Sequence, residues 1–217
     1  LPILKTSLLS LKVILRELKS THKMLSDKQD QLFIITAPSG AGKTSLIKNI
    51  LSHAKTNGYK VHLTLSHTTR TPREGEIDGV DYCFIDENTF KENINNEVYV
   101  EYAMVHGNLY GTPKDSIDSF LADDFIVIME IDWQGALNIL KAYPKAESVF
   151  ISPPSIEDLR QRLLDRGLDS EDVINQRVSG AEKEILQKTN FKHEIINFSL
   201  DTATKKLINI IFRENHG

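Results

Sequence analysis

Residues Ala37–Thr44 read A-P-S-G-A-G-K-T and follow directly on the apolar run Leu32–Ile35. A strand, a glycine-rich loop and a helix-forming stretch (Ser45–Leu51) in that order leave few folds open. The backbone N–H groups of such a loop and of the first helical turn aim at one spot, with the positive end of the helix dipole behind them. That spot holds an anion, so Pro38, Ser39, Gly40, Ala41, Gly42, Lys43, Thr44 and Ser45 are candidate ligands of a nucleoside triphosphate. Lys43 is expected at the β- and γ-phosphates and the Thr44 hydroxyl on Mg²⁺. Ala37 stands where the motif G-x-x-x-x-G-K-[ST] has its first glycine. It precedes Pro38, which favours extended backbone, where a Cβ costs little. The competing interpretation, a plain turn between a strand and a helix, does not account for Lys43 and Thr44 both being present.

Of the 217 residues, 40 % are hydrophobic and 26 % charged, and the net charge is −4. This describes one ordinary globular domain without a basic footprint for nucleic acid. Cys83 is the single cysteine. It excludes an internal disulfide, fits a reducing compartment, and supports a cytoplasmic expectation. No apolar stretch is long enough to span a bilayer, so no stable membrane insertion is expected. Residues 1–28 stand apart: Leu1–Ser20 carry Lys5, Lys12, Arg16 and Lys19 against Glu17 alone. They read as an extension: a basic amphipathic anchor or transit segment, an extra packed helix, or sequence upstream of a start at Met24.

Strand and helix signals alternate after that, which predicts an α/β fold with a mainly parallel sheet flanked by helices. Strands are expected over Gln31–Thr36, Val61–Leu65, Phe125–Ile131, Glu147–Ile151 and His193–Asn197. Helices are expected from the loop to about Lys55, where Asn57-Gly58 breaks the pattern, and over Ala203–Arg213. Two segments interrupt the alternation. Ser66–Thr112 is polar and lacks a long helix pattern; Ser155–Lys188 is helical and dense in arginine. The reading is therefore a core of 29–65, 113–154 and 189–217, with insertions 66–112 and 155–188 over the carboxyl edge of the sheet, where α/β ligands bind.

Asp132 closes a buried strand, the position from which an acid holds Mg²⁺ in phosphate-loop proteins. Arg70 and Arg73, three residues apart, either converge on a second phosphate or form a solvated basic turn. Glu101 offers a carboxylate that can accept both the N1–H and the 2-amino group of guanine, a donor pair adenine lacks. Tyr82 and Tyr110 offer flat faces to a base, or pack within a small sheet.

S-H-T-T-R-T-P-R-E-G-E from Ser66, Gly79–Tyr82, G-N-L-Y-G-T from Gly107 and E-I-D-W-Q-G from Glu130 together resemble the guanylate kinases, bacterial metabolic type, from about Gln31 onward. The resemblance implies a P-loop nucleoside monophosphate kinase that phosphorylates GMP, and dGMP with it, using ATP and Mg²⁺. It implies that Arg70, Arg73, Tyr82, Tyr110 and Glu76 hold the GMP phosphate side, and that Ser66, Glu101, Thr112, Glu130 and Asp132 read the base. Catalytic roles fall to Lys43, Arg70 and the lid arginines Arg162, Arg166 and Arg177, which are expected to reach the phosphates only when the insertions close. Asn197 is implied near the ATP adenine, and Thr44 and Asp132 at the metal. The chain departs from the pattern at Glu130, an Asp in some members, and at Phe198, where an acid is usual. A peptide-binding scaffold module without catalysis, or a kinase for another small phosphate acceptor, is the alternative. A monomer and a homo-oligomer are equally open.

Overall fold

The computed structural model describes residues 27–73, 75–105, 107–167 and 169–214; the expectations for residues 1–26 lie outside them. In chain order the strands are β1 (Leu32–Thr36), β2 (Val61–Leu63), β3 (His67–Thr68), β4 (Cys83–Phe84), β5 (Tyr99–Val105), β6 (Asn108–Pro113), β7 (Ile126–Glu130), β8 (Glu147–Ser152) and β9 (His193–Ile196). The α-helices are α1 (Lys43–Asn57), α2 (Glu87–Asn95), α3 (Asp115–Ala122), α4 (Trp133–Ala142), α5 (Ile156–Arg166), α6 (Glu171–Ile185) and α7 (Leu200–Phe212).

β1 is buried along its whole length, as a continuous apolar run requires of a strand covered on both faces. Its side chains alternate between two cores. Phe33 and Ile35 pack with Leu46, Ile50 and Leu207, while Leu32 and Ile34 pack with Leu121, Ile139 and Phe150. β7 and β8 divide in the same way, Ile128 and Val149 to the first core, Met129 and Phe150 to the second. Each such side chain contributes about 1.5–3 kcal/mol on burial. The five strands run β2-β7-β1-β8-β9, all parallel. β1 is central, and the loop after it emerges at the carboxyl edge. This is the expected mainly parallel α/β sheet.

The strand bounds differ from the expected ones by a residue or two, and each end has a local cause. β2 stops at Leu63, although Thr64 still donates its N–H to the Ile128 carbonyl at 2.9 Å. α7 begins at Leu200 rather than Ala203 because Ser199 caps it, its side chain accepting from the Thr202 N–H. α1 ends where Asn57-Gly58 predicts, with Gly58 at φ 74°.

The second sheet, β4-β3-β6-β5, comes from residues 67–113, and β5 and β6 form its antiparallel hairpin. It carries a helix that sequence reasoning did not place, α2. Asp86 caps that helix through the N–H groups of Asn88 and Thr89, and Phe90 is its one buried residue. With a single apolar anchor, α2 presents too little periodicity to be seen in advance. α5 and α6 form the helical segment between β8 and β9 and pack on each other.

Candidate active site

Gly42 sits at φ 95° just before α1 and lets the loop turn back onto the helix axis. Its lack of a side chain also admits Asn197: a Cβ built on Gly42 would lie 2.5 Å from Asn197 Nδ2. That amide is buried and donates to the Ala41 carbonyl at 2.8 Å, while its Oδ1 is buried with no partner among the described residues. Gly40 is needed for a second approach, since Leu159 and Leu163 of α5 come within 3.0–3.1 Å of where its Cβ would stand. α5 is thus seated on the loop at Gly40, and Asn197, just after β9, is seated on it at Gly42. Gly42→Ala should therefore destabilise the protein by about 1–3 kcal/mol and weaken ATP binding. Denaturant melts and ATP calorimetry check this, and a variant with normal stability and ATP affinity would refute the packing argument.

Lys43 Nζ donates to the Ile131 carbonyl at 3.3 Å and lies 3.7 Å from Glu130 Oε1. Thr44 donates its hydroxyl to the same Glu130 oxygen at 2.9 Å. The acid brought to Thr44 is therefore Glu130, where the sequence pointed to Asp132. The reason is local. Glu130 is the last residue of β7, paired with Ile35 one step before the loop, whereas Asp132 lies past the strand and caps α4. Asp132 Oδ1 accepts from the N–H groups of Gln134 at 2.8 Å and Gly135 at 3.1 Å.

A cavity of about 820 Å³ joins this loop to the second sheet. On the far wall Glu101 Oε1 accepts from Thr112 Oγ1 at 3.0 Å, and Ser66 Oγ lies 3.2 Å from that hydroxyl. Burial is the main cause that pushes the Glu101 carboxyl up to about 7; the Asp132 charge adds to it and the Thr112 hydrogen bond opposes it. Ser66, Glu101 and Thr112 thus form one cluster.

Tyr82 and Tyr110 also line the cavity, their ring centroids 6.0 Å apart and nearly perpendicular. Arg70 is held behind them. Its guanidinium stacks 5.4 Å from the Tyr82 ring centre, its Nε donates to Tyr110 Oη at 3.2 Å, and its two terminal nitrogens bind Glu76 at 2.8 and 2.9 Å. The Arg70 hydrogen bonds hold the Glu76 carboxyl below its ordinary range. Of the arginine pair, Arg73 is exposed, and neither arginine is part of the cavity wall. Glu76 explains this, because it occupies Arg70 and also accepts the Arg73 backbone N–H at 2.7 Å.

Of the three arginines on α5 and α6, Arg177 reaches the loop directly. Arg177 donates to Ser39 Oγ at 3.1 Å and pairs with Asp169 at 3.1 Å; Arg162 donates to the Asn197 carbonyl at 2.7 Å; Arg166 lines the cavity. Sequence reasoning missed Glu184, which also lines the cavity. The signal was its position on the lid helix, two turns after Arg177 and on the same face.

A phosphate loop after the central strand, an acceptor pocket on a small second sheet and an arginine-bearing helical lid together define a P-loop nucleoside monophosphate kinase. The guanylate kinase family model matches residues 29–214. A guanylate kinase of Psychrobacter arcticus is 50 % identical over 180 residues, which is 83 % of this chain and 85 % of that one. One of Escherichia coli is 43 % identical over 186 residues, 86 % of this chain and 89 % of that one. The crystal structure of guanylate kinase from Anaplasma phagocytophilum superposes with a TM-score of 0.64 at 28 % identity, covering 86 % of each chain. The chain belongs to the guanylate kinase family.

Proposed function

We infer that this chain transfers the γ-phosphoryl group of ATP to GMP, giving ADP and GDP. One observation carries the reading: the Glu101–Thr112–Ser66 cluster faces Lys43, Thr44 and Glu130 across a single cavity. A carboxylate backed by hydroxyls accepts the paired donors of guanine, and the opposite wall is built for a triphosphate. The wall residues Ser39, Gly40, Gly42 and Ser45 offer backbone and hydroxyl donors to the triphosphate, and Pro38, which has no N–H, lines the loop beside them. The unpartnered Oδ1 of Asn197 supports a place for it beside the donor nucleotide.

Mg²⁺ fits the residues present. The Thr44 hydroxyl and the Glu130 carboxylate are hard oxygen donors 2.9 Å apart. No group of three or more His, Cys, Asp or Glu among the described residues could hold a metal by itself, so phosphates and waters complete the shell, as Mg²⁺ prefers. A Mg²⁺ held by Thr44 and Glu130 would supply neutralisation of the phosphate charge. We assign that role to Glu130 rather than Asp132. Lys43 and the lid arginines Arg162, Arg166 and Arg177 offset the charge on the moving phosphoryl group. Arg70, positioned by Glu76, orients Tyr82 and Tyr110 toward the acceptor phosphate, with Arg73 able to swing in from solvent. The GMP phosphate is itself a competent nucleophile, so no general base is required, and the lid excludes water that would otherwise hydrolyse ATP. Residues 66–112 serve as the GMP-binding unit and 155–188 as the lid on the core.

A coupled assay with GMP, AMP, UMP, CMP and dTMP tests this reading. Turnover should be confined to GMP among the five. Equal turnover of another monophosphate would overturn the base assignment, and no turnover of any would favour the scaffold alternative.

A further inference from the structure

Arg177 divides its guanidinium between two partners on different elements. Nη1 donates to Ser39 Oγ on the phosphate loop at 3.1 Å, and Nη2 lies 3.1 Å from Asp169 Oδ1, in the turn between α5 and α6. Asp169 precedes Ser170, which stands at the N-cap of α6. From Ser170 to Arg177 the helix rises about 10 Å. Helical side chains lean toward the N-terminus, so Asp169 meets Arg177 with the arginine stretched back along α6. The Asp169 side chain is 12 % exposed, against 31 % for Arg177. A carboxylate so far out of water needs a counter-charge, and Arg177 supplies it.

Other contacts hold α6 in place. Ile174 and Ala181 bury its inner face in the first core, and Arg160 of α5 donates to Asn175 and Glu171. Removing the Asp169 carboxylate therefore frees the guanidinium and leaves the helix seated. An arginine side chain has many rotamers to lose, and an anchor on one edge removes much of that freedom in advance. The other edge meets Ser39, which lines the cavity. A phosphate oxygen is a stronger acceptor for a guanidinium than a hydroxyl is, so a bound triphosphate takes over Nη1 while Asp169 keeps Nη2.

We propose that Asp169 is a positioning residue: it anchors one edge of the Arg177 guanidinium so that the other edge, now against Ser39, is presented to the phosphates during transfer. This rests on the guanylate kinase reading, which wild-type turnover of GMP in the same assay tests separately. A double-mutant cycle compares kcat and KM for GMP in the wild type, Asp169→Ala, Arg177→Ala and the double variant, with kcat normalised to the folded fraction from circular dichroism. Asp169→Ala should lower kcat by about 10- to 100-fold with KM for GMP within about twofold, and Arg177→Ala should lower kcat by more. In the Arg177→Ala background the second substitution should change kcat by less than about twofold, because the group it positions is gone. Where Asp169→Ala does not fold, Asp169→Asn, which keeps the shape, takes its place in the cycle and should show a smaller loss in the same pattern. An unchanged kcat in either single variant, equal losses of kcat with and without Arg177, or a loss confined to KM would overturn the proposal; the second would mark Asp169 as a structural residue of the turn.

Discussion

Lys43→Ala should lower kcat for phosphoryl transfer by about 10³-fold or more while GMP binding changes by no more than roughly twofold. Lys43 lies between the Ile131 carbonyl and Glu130, at the opening of α1, where backbone donors converge on the triphosphate. Its ammonium supplies a mobile positive charge that the fixed N–H groups cannot replace, and that charge matters most when the γ-phosphoryl group is in flight. Removing it also leaves Glu130 facing the phosphates without its counter-ion, an added repulsion. The residues proposed to hold GMP, Glu101, Thr112 and Tyr110, make no hydrogen bond or ion pair with Lys43. A coupled assay and GMP calorimetry on the same preparation separate the two effects. Near-normal turnover would sink the kinase mechanism.

Glu101→Gln should raise KM for GMP by about 30- to 1,000-fold, the equivalent of about 2–4 kcal/mol for a lost charged hydrogen bond plus a donor facing donors. The pH dependence gives a sharper test. With its carboxyl pushed up to about 7, Glu101 takes up a proton as pH falls through that value and can no longer accept both guanine donors. KM for GMP should therefore climb below pH 7. The GMP phosphate titrates near about pH 6, so Glu101→Gln is the control: the component of the slope centred near 7 should vanish in it. Stability moves the other way. Folding raises the Glu101 value from 4.5 to about 7, which favours the neutral form, so wild-type stability from this group is present at low pH and is lost as pH rises through that window. The neutral amide should raise the melting temperature at pH 8 more than at pH 5. An unchanged KM for GMP would remove Glu101 as the base reader.

The triphosphate half of the site was legible because it is contiguous. A strand, a loop and a helix N-terminus adjacent in sequence are adjacent in space, and Gly40, Gly42, Lys43 and Thr44 carry their backbone requirements in their identities. The parallel sheet was legible for a similar reason, since strands buried on both faces read as unbroken apolar runs such as Leu32–Ile35 and Ile126–Met129. Glu101, Ser66 and Thr112 could be named from guanine chemistry and from the family resemblance.

Tertiary structure alone decided which of two acids meets Thr44. Glu130 and Asp132 are two residues apart and chemically alike, and only the register of β7 on β1 and the capping of α4 separate them. It also decided that Arg70 is spent largely on Glu76 and Tyr110 while Arg73 stays in solvent, because an arginine's partners are set by whichever acceptors the fold brings within reach. Asn197 meets Gly42 from 155 positions further along the chain, and Glu184 lines the cavity only because α6 packs back over the loop. Local sequence carries backbone preference and burial; contacts between distant segments arise from packing, which no stretch of residues specifies by itself.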